Sequence, residues 1–200
     1  APLAGLAVRG VVWYQGESDS WNPYPSSNFA PMLEKMIGCW RKAWGNPGLP
    51  FVIAQLPSMD ARFWPRTRAA QDEVARRLPG VHLANLIDTG WCHDVHPHDK
   101  QWVGPRLANV ALREVYGRAD VAVAPRFKAV SVAAGRAIVT FDAPVVVREA
   151  YRRGFELKVG GIWQPAASAA VREDGAVEVV ATDPAAQPEG VRYLYEGWAK

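Results

Sequence analysis

Two short polar segments of this sequence combine residue types that could perform acid–base chemistry. The first is Gln15-Gly16-Glu17, which comes directly after the apolar run GVVWY. The second, TGWCHDVHPHDK over residues 89–100, is the densest group of titratable side chains in the chain. Strand ends that turn abruptly polar are where α/β proteins commonly bind their ligands. Both segments are therefore candidates for a functional site.

One interpretation of the second segment is a metal site, since it holds His93, His96 and His98 within six residues. Imidazoles at this density could bind zinc. However, HPHDKQ departs after His98 from the pattern His-x-His-x-Asp-His, and neither a Cys-x-x-Cys pair nor a second histidine cluster supplies further ligands. We therefore expect no metal and no other cofactor.

A second interpretation of the same segment is proton transfer by a histidine next to a carboxylate. Such a histidine can take a proton from a hydroxyl nucleophile and return it, because imidazole changes charge near neutral pH and the carboxylate fixes its tautomer. Asp94 and His96 are two residues apart, so their side chains fall on the same side of an extended loop. The alternative is a loop histidine that only caps or solvates the start of the following helix.

The first segment also allows two interpretations. The side-chain amide of Gln15 could donate a hydrogen bond to the developing charge of a tetrahedral intermediate, a contribution of about 3 kcal/mol to the barrier. Alternatively, the amide only ties down a loop. Glu17 is most simply a loop organiser that accepts hydrogen bonds from backbone amides.

The elements that must position these segments alternate between strand and helix patterns. Apolar runs predict strands at residues 6–14, 50–57 and 81–88, and helical spacing predicts helices beginning near Phe29, over 66–80 and over 99–117. Pro105 should kink the last helix or give it a late start. This alternation predicts a parallel sheet with helices on its faces, and it places the ends of the first and third strands on one edge.

After Pro125 the pattern changes to short strands separated by glycine-rich turns. We therefore predict two domains: residues 1–120, which contain the α/β pattern, and residues 126–200, a small β-rich, sandwich-like module.

The overall composition excludes several classes of protein. Forty-nine per cent of the 200 residues are hydrophobic, which is ample for a packed core. The 23 basic and 20 acidic residues are scattered, so we expect no nucleic-acid partner. No apolar run approaches the ~20 residues of a membrane span. Cys39 and Cys92 permit at most one disulfide, and the sequence leaves open whether it forms.

Several long motifs resemble one known family. GVVWYQGESD, VIAQLP and IDTGWCHDVHPHDKQWVGPRLANVALREVYG are similar to blocks of the sialate O-acetylesterase family, within the SGNH (GDSL-like) hydrolases. FDAP, GFELKVGGIWQPAAS and VRYLYEGW resemble the β-rich tail of that family. The resemblance therefore spans nearly the whole chain.

The resemblance implies a three-layer α/β sandwich of the SGNH, flavodoxin-like type, incomplete in this chain. It implies hydrolysis of O-acetyl esters on sugars, typically sialic acids, by a metal-free Ser–His–Asp site. By position, His96 resembles the general base, Asp94 its carboxylate partner and Gln15 the oxyanion donor. Asp88, at the predicted end of the third strand, is a rival partner. The broader SGNH pattern places the aspartate three residues before the histidine, whereas Asp94 lies two residues before His96.

The resemblance also implies a substrate contact, a companion and a location. Trp13, Glu17 and Trp91 are predicted to contact the sugar. For the two tryptophans the reason is that aromatic faces suit sugar rings. None of the seven serines lies in a Gly-x-Ser-x-Gly elbow. In the family that these motifs resemble, the nucleophilic serine lies in a Gly-Gln-Ser-Asn-like block upstream of the WYQGES block, and this sequence has no such block. The resemblance therefore implies a nucleophilic serine on a missing or separate N-terminal polypeptide, and a secreted or periplasmic protein. The alternative is a non-catalytic glycan-binding module or partner subunit.

Overall fold

The computed structural model describes residues 3–148 and 153–199. The chain divides into two compact units, Ala1–Ala124 with Glu196–Lys200, and Pro125–Tyr195. Residues 196–199, which the sequence analysis assigned to the β-rich module, cluster with the first unit. Their backbone makes hydrogen bonds there, since the Met59 N–H donates to the Gly197 carbonyl (3.0 Å) and the Ala199 N–H donates to Ser58 Oγ (3.3 Å).

The first unit is built on a three-stranded parallel sheet in the order β1-β2-β3. The strands and the helices that follow them are β1 (Val11–Trp13), α1 (Pro23–Ser27), α2 (Phe29–Ala43), β2 (Phe51–Ala54), α3 (Trp64–Arg77), β3 (Val81–Ala84) and α4 (Val103–Glu114). This order confirms the predicted parallel sheet within a mixed α/β chain. Each strand is shorter than its apolar run.

The two faces of β2 pack against different helices, because successive side chains of a strand point to opposite faces. Phe51 and Ile53 lie in a buried cluster with Leu33 and Ile37 of α2 and with Val74 of α3. On the other face, Val52 packs with Val110 of α4, and Ala54 packs with Val103 of the same helix. A strand buried on both faces explains the continuous apolar run PFVIAQLP.

Two local features differ from the simplest expectation or resolve it. The predicted elements do not include the short helix α1 over Pro23–Ser27, in which proline at the first helical position costs no hydrogen bond. The helix predicted over 99–117 begins at Val103, which confirms the late start. Pro105 then lies in the first turn, where its missing N–H is not needed.

The second unit is all antiparallel in its described part. Its strands are β4 (Phe127–Ala133), β5 (Arg136–Phe141), β6 (Phe155–Val159), β7 (Ile162–Pro165), β8 (Ser168–Val171), β9 (Val177–Val180) and β10 (Pro188–Tyr193). One sheet has the order β4-β5-β9-β8 and the other β10-β6-β7. Val139 and Val179 of the first sheet and Leu157 of the second belong to one buried cluster. No helix within residues 3–148 and 153–199 has the length and apolar character that crossing a membrane requires.

Candidate active site

The two polar segments lie in loops that follow β1 and β3 at the same edge of the parallel sheet. The first loop comprises residues 14–22 and the second loop residues 85–102. Tyr14 of the first loop and Val95 of the second pack against one buried cluster, which is formed by the segment after β2 and the start of α3 (Leu56, Met59, Ala61 and Trp64). The sheet therefore brings the predicted Gln15 and His96 loops to one apolar base.

The first loop is fixed by a buried hydrogen-bond network. The Ser20 hydroxyl bonds with the Gly16 carbonyl (2.7 Å) and with the Thr67 hydroxyl of α3 (2.8 Å). Gln71 of α3 donates from Nε2 to the Gln15 carbonyl (3.1 Å), while its Oε1 accepts from the Leu56 N–H (2.8 Å). Gln71 is fully buried, so the loops after β1 and β2 share one internal anchor.

Gly16 has a backbone conformation that only glycine adopts easily. Its φ is +143°. A β-carbon at this position would lie 3.0 Å from Cγ2 of Thr67, 3.2 Å from Cζ of Phe29 and 3.3 Å from Cδ1 of Leu56. The glycine therefore allows the backbone next to Gln15 to sit directly on the core.

The Gln15 side chain is held by an acidic neighbour. Its Nε2 donates to Oδ2 of Asp19 at 2.6 Å, and both side chains are half-buried. A primary amide carries two N–H groups. One of them bonds with Asp19 and thereby fixes the plane of the amide. The direction of the second N–H is then fixed as well. Sequence reasoning missed Asp19, although its four-residue spacing from Gln15 was visible.

Glu17 does not act as the backbone acceptor that the sequence suggested for the following turn. It precedes the 3-10 turn Ser18–Trp21 in a helical conformation (φ −59°, ψ −53°) and makes no side-chain capping bond. A capping residue needs extended dihedrals to reach the amides ahead of it, and Glu17 lacks them. Its charge instead acts on Tyr14: burial, with a smaller effect of Glu17, raises the pKa of Tyr14 to about 12.

Asp94 and His96 form a local pair in the second loop. The backbone N–H of His96 donates to Oδ1 of Asp94 (2.8 Å), which forms an Asx-turn. The ring nitrogen Nδ1 of His96 lies 3.6 Å from the same oxygen. The His96 side chain is 85% exposed. The carboxylate therefore faces the imidazole, while the rest of the ring is open to solvent.

Asp88, the rival carboxylate, is paired with a cation. Both of its oxygens accept hydrogen bonds from Arg106 of α4, at 2.5 and 2.8 Å. The hydrogen bond with Asp88 raises the pKa of Arg106. Asp88 does not end a strand as predicted, because β3 stops at Ala84 and Asp88 lies four residues further on. The sequence offered no signal for the partnership with Arg106.

A cavity of about 380 Å³ lies beside this ion pair. Its lining residues are Asp88, Thr89, Gly90, Asp99, Trp102 and Arg106. It thus joins the second loop to the first turn of α4. Its walls present an exposed indole, two carboxylates and a guanidinium.

The two tryptophans predicted to contact substrate have different surroundings. Trp91 is 51% exposed, and its ring meets His98 edge-on at 5.3 Å. Trp13 packs on the core between β1 and α2, with its ring 5.7 Å from that of Trp40. The structure therefore places Trp91 on the open surface of the second loop, and Trp13 partly buried against the core.

Comparison with known proteins identifies the family. Residues 2–113 match the family model described as carbohydrate esterase, sialic acid-specific acetylesterase. This match covers more than half of the chain and includes both loops. The chain therefore belongs to that family, which confirms the resemblance of its motifs.

Individual relatives agree with this assignment. The chain is 28% identical over 182 residues to the sialate O-acetylesterase of Mus musculus, covering 78% of this chain and 33% of the relative. The human sialate O-acetylesterase is 29% identical over 143 residues, which are 60% of this chain and 27% of that protein. A crystal structure of a carbohydrate acetylesterase from Xanthomonas citri superposes with a TM-score of 0.88 at 31% identity, over 99% of this chain and 48% of that one. The chain thus spans at most about a third of these curated relatives.

Proposed function

We propose that this chain supplies the base and an oxyanion donor of a carbohydrate O-acetyl esterase. The reaction is hydrolysis of acetyl esters on sugars, with sialic acid as the first substrate to test, by a Ser–His–Asp mechanism. The observation that carries the proposal is the meeting of the Gln15 and His96 loops over one buried cluster, through Tyr14 and Val95. Membership of the acetylesterase family supports ester hydrolysis as the chemistry proposed for this edge of the sheet.

The nucleophilic serine comes from an N-terminal polypeptide that completes an SGNH-type three-layer sandwich. One feature of β1 supports this part of the proposal. Val12 is 57% exposed, although its neighbour in the sheet, Val52, is buried under α4. Within the described residues β1 pairs only with β2, so its other edge is available to a further strand. The share of the relatives that this chain covers leaves ample sequence for such a companion.

The chemical steps follow from the groups in the two loops. The companion's serine hydroxyl attacks the acetyl carbonyl, and His96 takes its proton while Asp94 stabilises the imidazolium. The Gln15 amide donates to the oxyanion that forms. His96 then passes the proton to the sugar oxygen as it leaves. A water molecule attacks the acetyl-serine with His96 again as base, and acetate is released.

Two further residues have supporting roles in this mechanism. Asp19 is a positioning residue, because its bond to Nε2 fixes the plane of the Gln15 amide. Trp91 offers an exposed aromatic face on the second loop, where a sugar ring can stack. The cavity next to Asp88 and Arg106 is the adjoining space for the remainder of the sugar.

The test is acetyl-ester hydrolysis by this chain together with its N-terminal polypeptide, with acetylated sialic acid and acetylated neutral sugars as substrates. His96→Ala should lower kcat by roughly 10³-fold or more, since loss of a triad member costs several orders of magnitude. His98→Ala is the matched control on the same loop and should change kcat only a few-fold. Equal effects of the two substitutions, or an unchanged rate in His96→Ala, would show that His96 is not the base.

A further inference from the structure

A cluster of three different metal-ligating side chains lies beside the proposed active site, outside the catalytic groups. Asp60, Cys92 and His93 each offer one ligand atom, and the three atoms all lie within 4.8 Å of one another. Cys92 and His93 belong to the second loop, whereas Asp60 lies in the segment after β2. The metal site weighed from the sequence included only the histidines of the second loop. Nothing in the sequence pairs them with Asp60, a carboxylate 32 residues before Cys92.

The backbone holds the two contributing segments together. The Asp60 N–H donates to the Cys92 carbonyl at 2.8 Å, and the Ser58 N–H donates to the Thr89 carbonyl at 3.0 Å. The Ser58 hydroxyl also donates to the Ile87 carbonyl. These bonds tie the segment at 58–60 to the second loop on both sides of Gly90. The ligand atoms are therefore brought together by the fold, and a metal ion does not need to gather them.

Gly90 makes this close approach of the two backbones possible. Its φ is +104°, and a β-carbon there would overlap the Ser58 carbonyl oxygen. Ser58 itself is fully buried. The separation of the Asp60 and Cys92 backbones is thus set by packing rather than by the exposed side chains.

We propose that Asp60, Cys92 and His93 bind one Zn²⁺ ion. A thiolate, an imidazole and a carboxylate form a mixed donor set that suits zinc and disfavours Mg²⁺ and Ca²⁺, which prefer oxygen ligands. Three protein ligands leave the fourth tetrahedral position to water. Asp60 and His93 are exposed and Cys92 is half-buried, so an ion can reach the site from solvent.

Bound zinc would cross-link the second loop to the segment after β2. His96 lies only three residues beyond His93 on the same loop, and it is the exposed end of the Asp94 pair. The ion would therefore limit the motion of the second loop. This site takes no part in the serine mechanism, and the inference does not depend on the proposed function.

The experiment is titration of the metal-stripped 200-residue chain with Zn²⁺ alone by calorimetry, and with Co²⁺ alone by absorption spectroscopy. We expect one equivalent of Zn²⁺ to bind with a Kd of about 1 µM or tighter, weaker than sites with four protein ligands. The Co²⁺ form should show a thiolate-to-cobalt charge-transfer band. Asp60→Asn and His93→Gln should each weaken zinc binding by at least about tenfold, and Cys92→Ser should abolish the band.

Two control variants separate this site from adventitious binding. Cys39→Ser removes the other thiol, which is exposed on α2, and His98→Gln removes a histidine of the same loop. Both should leave the zinc affinity and the cobalt band unchanged. The proposal is overturned if Zn²⁺ fails to bind at roughly 100 µM, if Cys39→Ser removes the band, or if His93→Gln binds like the parent. His93 is exposed, so a far-UV circular dichroism spectrum like that of the parent is expected and shows that this variant is folded.

Discussion

The two loops at the edge of the parallel sheet are built in opposite ways. In the first loop, Gly16 and Ser20 are buried, and contacts with Thr67 and Gln71 of α3 fix the backbone next to Gln15. In the second loop, the His96 side chain is 85% exposed, and the side chain of its partner Asp94 is 46% exposed. The first loop thus buries the backbone next to Gln15, whereas the second loop packs inward at Leu86, Thr89 and Val95 but presents His96 to solvent.

This difference matches the two roles proposed for the loops. A donor to an oxyanion is effective when it is already oriented before charge develops. A base must instead be reachable by the hydroxyl that it deprotonates. An amide fixed by Asp19 and an imidazole open to solvent are therefore the properties that the proposed mechanism requires of these two loops.

The largest effect expected beyond His96 itself concerns its carboxylate partner. Asp94→Asn should lower kcat by about 10²- to 10⁴-fold, because an amide cannot stabilise the imidazolium and favours the wrong tautomer. Asp88→Asn should lower it only several-fold, because both Asp88 oxygens bond with Arg106. Steady-state kinetics of this chain together with the proposed N-terminal polypeptide measures kcat for both variants. The reverse ranking would make Asp88 the partner.

The rigid loop should respond strongly to loss of its amide and less to loss of the residue that orients it. Gln15→Ala should lower kcat by about 10²- to 10³-fold. Asp19→Asn should lower kcat by roughly tenfold with little change in KM, because an oriented amide matters most in the transition state. An Asp19→Asn variant with a raised KM and unchanged kcat would contradict the positioning role.

Stability should distinguish a glycine on the core from a glycine on the surface. Gly16→Ala should lower the free energy of unfolding by about 1–3 kcal/mol, since φ is +143° and three side chains lie within 3.3 Å of the added carbon. Gly38→Ala is the matched control in α2, where nothing lies within 4 Å of an added carbon. It should raise stability by up to about 1 kcal/mol. Urea denaturation of the 200-residue chain compares the two, and a Gly16 variant as stable as the parent would show that the loop is not locked.

The smallest effect is a pH dependence from Tyr14. Burial, with Glu17 as a second cause, raises the pKa of Tyr14 from 10.0 to about 12 in the folded chain. The unfolded chain therefore loses this proton first, and the contribution of Tyr14 to stability is present below about pH 10 and is lost as the pH rises towards about 12. Tyr14→Phe should reduce the fall in unfolding free energy across that range. A parallel pH profile for the two proteins would place Tyr14 in water.

The sequence predicted the elements better than their ends. Alternating strand and helix patterns were enough for the parallel sheet. Pro105 indicated either a kink or a late start of α4, and the structure shows the late start. The third strand was predicted to reach Asp88 because apolar residues continue to Leu86 and Ile87. In the structure the ladder ends at Ala84, and Leu86 is buried from within a turn in which the Thr89 N–H donates to its carbonyl (2.9 Å). Burial alone does not show where strand pairing stops.

The site was predictable in its residues but not in their partners. The motif drew attention to Gln15, Asp94 and His96, yet nothing in the pattern pairs Gln15 with Asp19 or Asp88 with Arg106. Trp13 shows the same limit. An aromatic residue at the end of a strand can face either side, and only the position of α2 decides that Trp13 packs against Trp40.

The most direct test of the proposed mechanism is labelling with a serine-reactive fluorophosphonate probe, applied to this chain alone and together with the proposed N-terminal polypeptide. The account predicts that this chain alone is not labelled. In the mixture, a serine of the N-terminal polypeptide should be labelled, and His96→Ala in this chain should abolish that labelling. Labelling of any serine in this chain, or undiminished labelling of the companion with His96→Ala, would contradict it.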